Sequence, residues 1–133
     1  MARLRQSCGV SMMFRELPIL ERFGAARDAG VEVVLINVDI GDLRTGGPGL
    51  SGVPGRETEV RAAVTRTLDA SRILGASRIH LGPSRVPPGT SRAECWEVYR
   101  ANLSWAVRQA AGHPATTAAS FAWRHILQEH FSP

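Results

Sequence analysis

The sequence predicts an α/β protein built on a parallel β-sheet. Three observations carry this prediction: short β-branched apolar segments alternate with longer amphipathic segments, glycines follow the amphipathic segments, and the strand–helix order repeats along the chain. This alternation is typical of βα units, in which each helix returns the chain to the start of the next parallel strand. The 133 residues are enough for one domain of ordinary size.

The first half of the chain predicts two strands separated by one helix. Residues 3–14 predict a strand with a loop at its end, and residues 16–29 predict a helix. Pro18 falls in the first turn, where its missing N–H costs little, and Gly30 stands where a helix C-cap is expected. Residues 31–38 are β-branched and nearly all apolar, which is typical of a strand buried on both faces.

A long glycine-rich connection separates this strand from the second helix. Residues 39–56 contain six glycines and two prolines, and long connections in compact domains are usually functional or disordered. Residues 57–74 predict a helix, with Glu57 and Glu59 in the first turn where the helix dipole favours carboxylates. Residues 77–82 predict a third short strand.

The last predicted helix begins with a recognisable cap. Ser91 and Glu94 form the spacing of a capping box, which predicts a helix over residues 91–111. Residues 113–133 depart from the alternating pattern, and they predict a loop followed by a short amphipathic helix.

Composition excludes several classes of protein. All 16 basic residues are arginines, they are scattered among 12 carboxylates, and the net charge is only +4, so nucleic-acid binding is a minor alternative. The longest apolar run, residues 33–36, is far below the roughly 20 residues of a membrane span. No apolar h-region follows Arg3 and Arg5, and Cys8 and Cys95 are too few for a disulfide framework. We therefore expect a soluble cytoplasmic protein with reduced thiols and no membrane partner.

Four polar residues are candidates for a ligand-binding site. In parallel α/β sheets, ligands bind beyond the carboxyl ends of the strands. Asn37 and Asp42 flank the end of the second predicted strand, and His80 ends the third. Arg56 closes the glycine-rich connection, where it could clamp a carboxylate with two hydrogen bonds.

Each candidate also has a purely structural interpretation. His80 could be a hydrogen-bonded structural residue, Asp42 could form an Asx turn, and Arg56 could solvate the start of a helix. No phosphate-binding glycine pattern and no dinucleotide fingerprint is present. The three remaining histidines lack the spacing of metal ligands: His113, His125 and His130.

Six stretches of the sequence form a recognisable series. In chain order they are SMMFRELP at 11–18, LIN at 35–37 with GD at 41–42, GL at 49–50 with VPGR at 53–56, RIHL at 78–81, RVPPG at 85–89 and ExxxxNLxWA at 97–106. Together they resemble the hydroxypyruvate isomerase family, which belongs to the xylose-isomerase-like TIM barrels. The resemblance covers roughly residues 1–111.

The resemblance implies a partial (β/α)8 barrel with about three βα units in residues 1–112 and a divergent tail in residues 113–133. Full barrels have about 250 residues, roughly twice this length. Relative to the family, one βα unit is missing where Gly30 runs into Val31. The strand that carries a metal-binding catalytic glutamate in the family is absent, and Gly9 replaces an asparagine.

The implied activity is that of an intramolecular oxidoreductase, which interconverts hydroxypyruvate and tartronate semialdehyde or a related sugar acid. Such isomerisation needs a base or a metal ion beside the substrate oxygens. The family's catalytic glutamates and its Mg²⁺ or Mn²⁺ ligands have no counterpart here, so we expect impaired catalysis and no catalytic residue. Asn37, Asp42, Arg56 and His80 are then expected to bind a small sugar-acid substrate.

One further class of function stays open. The chain could be a non-catalytic α/β module that binds a small sugar acid or a partner chain. Open sheet edges could also support a homo-oligomer.

Overall fold

The computed structural model describes residues 14–112, and its contacts divide the chain into two compact units, Met1–Val33 and Val34–Pro133. The division falls beside the junction at which the resemblance places a missing βα unit. The predicted strand over residues 3–14 lies outside the described residues except for its last position, and the tail at 113–133 lies wholly outside them. A separate tail beginning at residue 113 therefore stays a prediction.

The described part of the first unit contains one helix, α1 (Ile19–Asp28), which begins directly after the proline predicted for its first turn. The helix ends at Gly30, whose φ of 76° is readily adopted only by glycine. The N–H groups of Gly30 and Val31 donate to the carbonyl oxygens of Arg27 and Ala26 over 2.9 and 2.8 Å. This is the Schellman pattern of helix termination, and it confirms the predicted position of the cap.

The second unit contains a parallel two-stranded sheet within the described residues. Its strands are β1 (Leu35–Asn37) and β2 (Arg78–His80). The register pairs Ile36 with Ile79 and Asn37 with His80, so the last residues of both strands lie side by side. The predicted parallel arrangement is confirmed, although both strands are shorter than the sequence predicts.

Two long helices follow the strands, α2 (Glu57–Leu74) and α3 (Arg92–Ala110). The observed bounds of α2 are the predicted ones. The capping box of α3 is also confirmed, because Ser91 Oγ accepts from the Glu94 N–H at 3.2 Å while a Glu94 carboxylate oxygen accepts from the Ser91 N–H at 2.8 Å. The family fold expected from the sequence, a partial barrel of βα units, is what these elements form.

The apolar core of the second unit lies between the strands and the helices. Helix α2 packs against both strands and against α3. The buried cluster consists of Val38, Leu50, Val60, Ala63, Val64, Leu68, Ile79, Leu81, Tyr99, Ala106 and Ala110.

Alternate strand residues point to opposite faces, so Asn37 and His80 share the face that is turned away from this core. The expectation that the β1 segment is buried on both faces is wrong for Val34 and Leu35, which are 43% and 41% exposed. Leu35 shares the face of Asn37, which α2 does not cover, and Val34 precedes the first paired residue of the strand.

Candidate functional site

Asn37 and His80 meet at the carboxyl ends of the two parallel strands. The side-chain oxygen Oδ1 of Asn37 lies 2.9 Å from Nδ1 of the His80 ring. Their contact follows from the register, which places the two residues directly opposite each other. Asn37 is exposed and His80 is half-buried, so a ligand can reach this pair from solvent. The sequence predicted both residues at this edge, but it did not predict that they form a hydrogen bond.

Arg56 and Asp42 form a second cluster with two residues of the surrounding loop and helix. The guanidinium donates from Nε and Nη2 to the two carboxylate oxygens of Glu59, each over 2.8 Å. Its third nitrogen, Nη1, donates to the carbonyl oxygen of Gly49 at 2.8 Å and to Oδ1 of Asp42 at 3.3 Å. The bidentate clamp that the sequence suggested for Arg56 therefore exists, but the carboxylate it holds belongs to the same chain.

The charges of this cluster stabilise one another. The hydrogen bonds from Arg56 hold the pKa of Glu59 below its usual value, and the hydrogen bonds to Glu59, followed by the charges of Glu59 and Asp42, raise the pKa of Arg56. Both shifts favour the ionised forms of Arg56 and Glu59. The arrangement ties the start of α2 to the glycine-rich connection.

The side chain of Asp42 also organises the backbone of the glycine-rich connection. It lies in a short 3-10 helix (Gly41–Thr45), and its Oδ1 accepts from the N–H of Gly49, seven residues further on, at 2.8 Å. Gly47 approaches so closely that a Cβ atom there would lie 2.2 Å from Cγ of Asp42, which only glycine avoids. The Asx turn expected as an alternative for Asp42 is formed by Asp39, whose Oδ1 accepts from the Gly41 N–H.

Buried hydrogen bonds join the connection to the loop that follows β2. Ser51 Oγ donates to the carbonyl oxygen of Gly82 at 2.5 Å, and the Gly52 N–H donates to Ser84 Oγ at 2.9 Å. Asn102, which is 2% exposed, donates to the carbonyl oxygen of Ser51 at 3.0 Å. The edge of the sheet that carries the candidate site is therefore fixed by polar contacts on its buried side.

Helix α3 holds the end of β2 through a second contact. The hydroxyl of Tyr99 donates to the carbonyl oxygen of Leu81 at 2.9 Å, and Leu81 follows His80 directly. In the sequence, Tyr99 lies on the apolar face of the helix predicted over residues 91–111, together with Leu103, Ala106 and Ala110. Asn102 lies three positions after Tyr99, on the same side of the helix. A polar residue at that spacing was the signal in the sequence that could have predicted buried hydrogen bonds.

The four predicted site residues thus form two pairs, Asn37 with His80 and Asp42 with Arg56. The sequence did not predict that Glu59 joins Arg56 and Asp42 in the second cluster. Its signal in the sequence was the i,i+3 spacing from Arg56 at the start of a helix. The assignment of all four residues to substrate binding stays a prediction.

Over residues 14–112, no group of three or more His, Cys, Asp or Glu side chains is arranged to hold a metal ion, so these residues do not fit a divalent metal site. Cys95 is a free, buried thiol, as predicted, and burial followed by the charge of Glu94 raises its pKa. None of the described helices is both long and apolar enough to cross a membrane.

Comparison with known proteins gives a consistent group of relatives. The chain is 30% identical over 137 residues to a 2-oxo-tetronate isomerase of Cupriavidus necator, an alignment that covers 84% of this chain and 53% of that protein. It is 28% identical to the hydroxypyruvate isomerase of Escherichia coli, with coverage of 77% and 50%. No family model matches the chain.

A solved structure supports the same assignment. The crystal structure of AP endonuclease, family 2, from Brucella melitensis superimposes with a TM-score of 0.67 and 27% sequence identity, covering 81% of this chain and 51% of that one. That protein has the xylose-isomerase-like TIM-barrel fold. The chain spans about half the length of the curated relatives it matches. Over that half, the chain is similar in sequence to 2-oxo-tetronate and hydroxypyruvate isomerases, and it is similar in fold to a xylose-isomerase-like TIM barrel.

Proposed function

We propose that this chain binds the small hydroxylated keto acids on which hydroxypyruvate and 2-oxo-tetronate isomerases act, and that it is an isomerase-like protein of this class. The reaction would be the interconversion of hydroxypyruvate and tartronate semialdehyde or of a related sugar acid. The observation that carries the proposal is the Asn37–His80 pair, which presents polar side chains at the carboxyl ends of two parallel strands. This is the edge at which α/β sheets bind their ligands.

The described residues are suited to orienting a substrate. Isomerisation moves a proton between neighbouring carbons, which needs a base or a metal ion beside them. The two carboxylates that follow β1 already accept hydrogen bonds, Asp39 from Gly41 and Asp42 from Gly49 and Arg56. All four residues are predicted to bind the substrate, and we propose that Asn37 and His80 contact it directly while Asp42 and Arg56 act mainly through the neighbouring loop. We assign proton transfer to none of the described residues.

Calorimetric titration with hydroxypyruvate tests this proposal, together with an assay of isomerisation with and without Mg²⁺ or Mn²⁺. The wild-type chain should bind hydroxypyruvate, and His80→Ala should weaken binding. Arg66→Ala, at an exposed position of α2, is the control and should leave the affinity unchanged. If the wild-type chain does not bind, or if His80→Ala binds as tightly as the control, the proposed site is wrong.

The isomerisation assay separates the isomerase from the alternative. Turnover would support a complete isomerase activity and would contradict our statement that no described residue transfers the proton. Binding without turnover would favour the non-catalytic module.

Three further properties stay predictions. They are a cytoplasmic location, self-association through open sheet edges and the absence of nucleic-acid binding. Light scattering of the purified chain measures its oligomeric state. An affinity for DNA or RNA that falls steeply with salt would contradict the third prediction.

A further inference from the structure

The hydrogen bond between Asn37 and His80 constrains the protonation of the imidazole ring. Oδ1 of an asparagine amide only accepts hydrogen bonds, so Nδ1 of His80 must be the donor across the 2.9 Å contact. In a neutral imidazole only one nitrogen carries a proton. The proton therefore lies on Nδ1, and Nε2 is left with a lone pair that accepts.

The surroundings of the ring make this constraint relevant to a ligand. Asn37 is exposed and His80 is half-buried, on the face of the sheet opposite the apolar core. Gly82 lies beside the ring, because a Cβ atom at this position would be 3.6 Å from Cε1 of His80. Cε1 lies between the two ring nitrogens, so the absence of a side chain at Gly82 keeps this edge of the ring uncrowded.

We propose that Asn37 is a positioning residue that fixes the tautomer of His80, and that Nε2 of His80 accepts a hydrogen bond from a hydroxyl group of the ligand. This inference rests on the proposed function and narrows it. The ring then selects keto acids that carry a hydroxyl donor. A carboxylate only accepts hydrogen bonds, so the carboxylate of the ligand does not lie against Nε2. The site discriminates by a hydroxyl group, and hydroxypyruvate and pyruvate differ in just that group.

The tautomer can be measured without any ligand. Nitrogen NMR of the imidazole, well above the ordinary pKa of a histidine, distinguishes a proton on Nδ1 from one on Nε2, and a His80→Gln variant assigns the signals. The wild-type ring should carry its proton on Nδ1. Asn37→Asp should keep the proton on Nδ1 because a carboxylate also accepts a hydrogen bond. Asn37→Leu should instead give a mixture of the two neutral tautomers of His80. A proton on Nε2 in the wild-type chain would overturn the inference.

The ligand half of the inference is tested by the ratio of the affinities for hydroxypyruvate and pyruvate. One neutral hydrogen bond changes an affinity about three- to tenfold, so the wild-type chain should prefer hydroxypyruvate by about that factor. Asn37→Leu and His80→Phe should bring the ratio close to one, while the control Arg66→Ala should retain it. A ratio that Asn37→Leu leaves unchanged would refute the assigned role.

The two measurements distinguish failure of the inference from failure of the proposed function. If the wild-type chain binds hydroxypyruvate but its ring is protonated on Nε2, only the inference is wrong. If hydroxypyruvate does not bind, the proposed function and the selection of a hydroxyl are both wrong, and the NMR measurement still decides whether Asn37 fixes the ring.

Discussion

Replacing Tyr99 by phenylalanine removes one buried hydrogen bond and changes little else. The hydroxyl donates to the carbonyl oxygen of Leu81 over 2.9 Å, and the two residues are 3% and 7% exposed. The aromatic ring is retained, so lost packing contributes little to the change in unfolding free energy. The variant loses a net hydrogen bond and leaves a buried carbonyl oxygen without this donor, which together cost about 1–2 kcal/mol of unfolding free energy.

Urea unfolding followed by tryptophan fluorescence measures this loss. With a denaturant slope of about 1–3 kcal/mol per molar urea, the midpoint should fall by roughly 0.3–2 M with no change in slope. In a domain of this size the melting temperature should fall by about 4–8 °C for each kcal/mol lost.

Thr65→Val is the matched control for the loss of a hydroxyl. Thr65 is exposed on α2, and its hydroxyl donates to the carbonyl oxygen of Arg61, four residues earlier, at 2.9 Å. Because water can replace that bond, the unfolding free energy should change by no more than about 0.5 kcal/mol. If Tyr99→Phe were as stable as Thr65→Val, the hydrogen bond that ties α3 to the end of β2 would contribute nothing, and our description of the support of the site would be wrong.

Two further substitutions test the loop and the helix cap. Gly52→Ala would place a Cβ atom 2.7 Å from Ser84 Oγ, the acceptor of the Gly52 N–H, and should lower the unfolding free energy by about 1–3 kcal/mol in urea titrations. Ser91→Ala removes the cap of α3 and should cost about 0.5–2 kcal/mol. Hydrogen bonds from Ser91 lower the pKa of Glu94, so the contribution of Glu94 is present above the ordinary pKa of a glutamate and is lost as the pH falls through its lowered pKa. The difference between Ser91→Ala and the wild type should therefore shrink in acid.

Each of these substitutions has an outcome that would contradict its explanation. Gly24 lies within α1 with open space around its missing Cβ, so Gly24→Ala should be neutral or stabilising by up to about 1 kcal/mol. A Gly52→Ala variant that behaves in the same way would show that the contact with Ser84 is not close. A Ser91→Ala deficit that is constant between neutral and acidic pH would show that Glu94 takes no part in the cap.

Arg56 makes contacts that its position in the sequence does not predict. As an isolated cation at the end of a loop, Arg56 is a natural ligand for a substrate carboxylate. In the fold, Glu59, Asp42 and the Gly49 carbonyl oxygen accept from all three of its nitrogens. The Glu97–Arg100 pair on α3 has the same residue spacing in the opposite order, and its one 2.8 Å hydrogen bond contrasts with the two that Arg56 donates to Glu59.

The sequence by itself determined the features that arise within a few residues. The bounds of α2, the capping box at Ser91 and Glu94, and the helix end at Gly30 were all predicted, because helical periodicity and caps depend on neighbours three or four positions away. The alternation of strands and helices also determined the parallel sheet, and six motifs in order indicated the similarity to hydroxypyruvate isomerases that the comparisons confirm.

Only the tertiary structure decided which polar groups meet. Asn37 and His80 are 43 residues apart, and Asn102 and Ser51 are 51 residues apart, so no local pattern specifies either contact. The short length of the strands and the exposure of one face of β1 likewise depend on what packs above and below them. Parallel register brings distant strand ends into one row, and it is this long-range pairing that turns two separately predicted residues, Asn37 and His80, into a single candidate site.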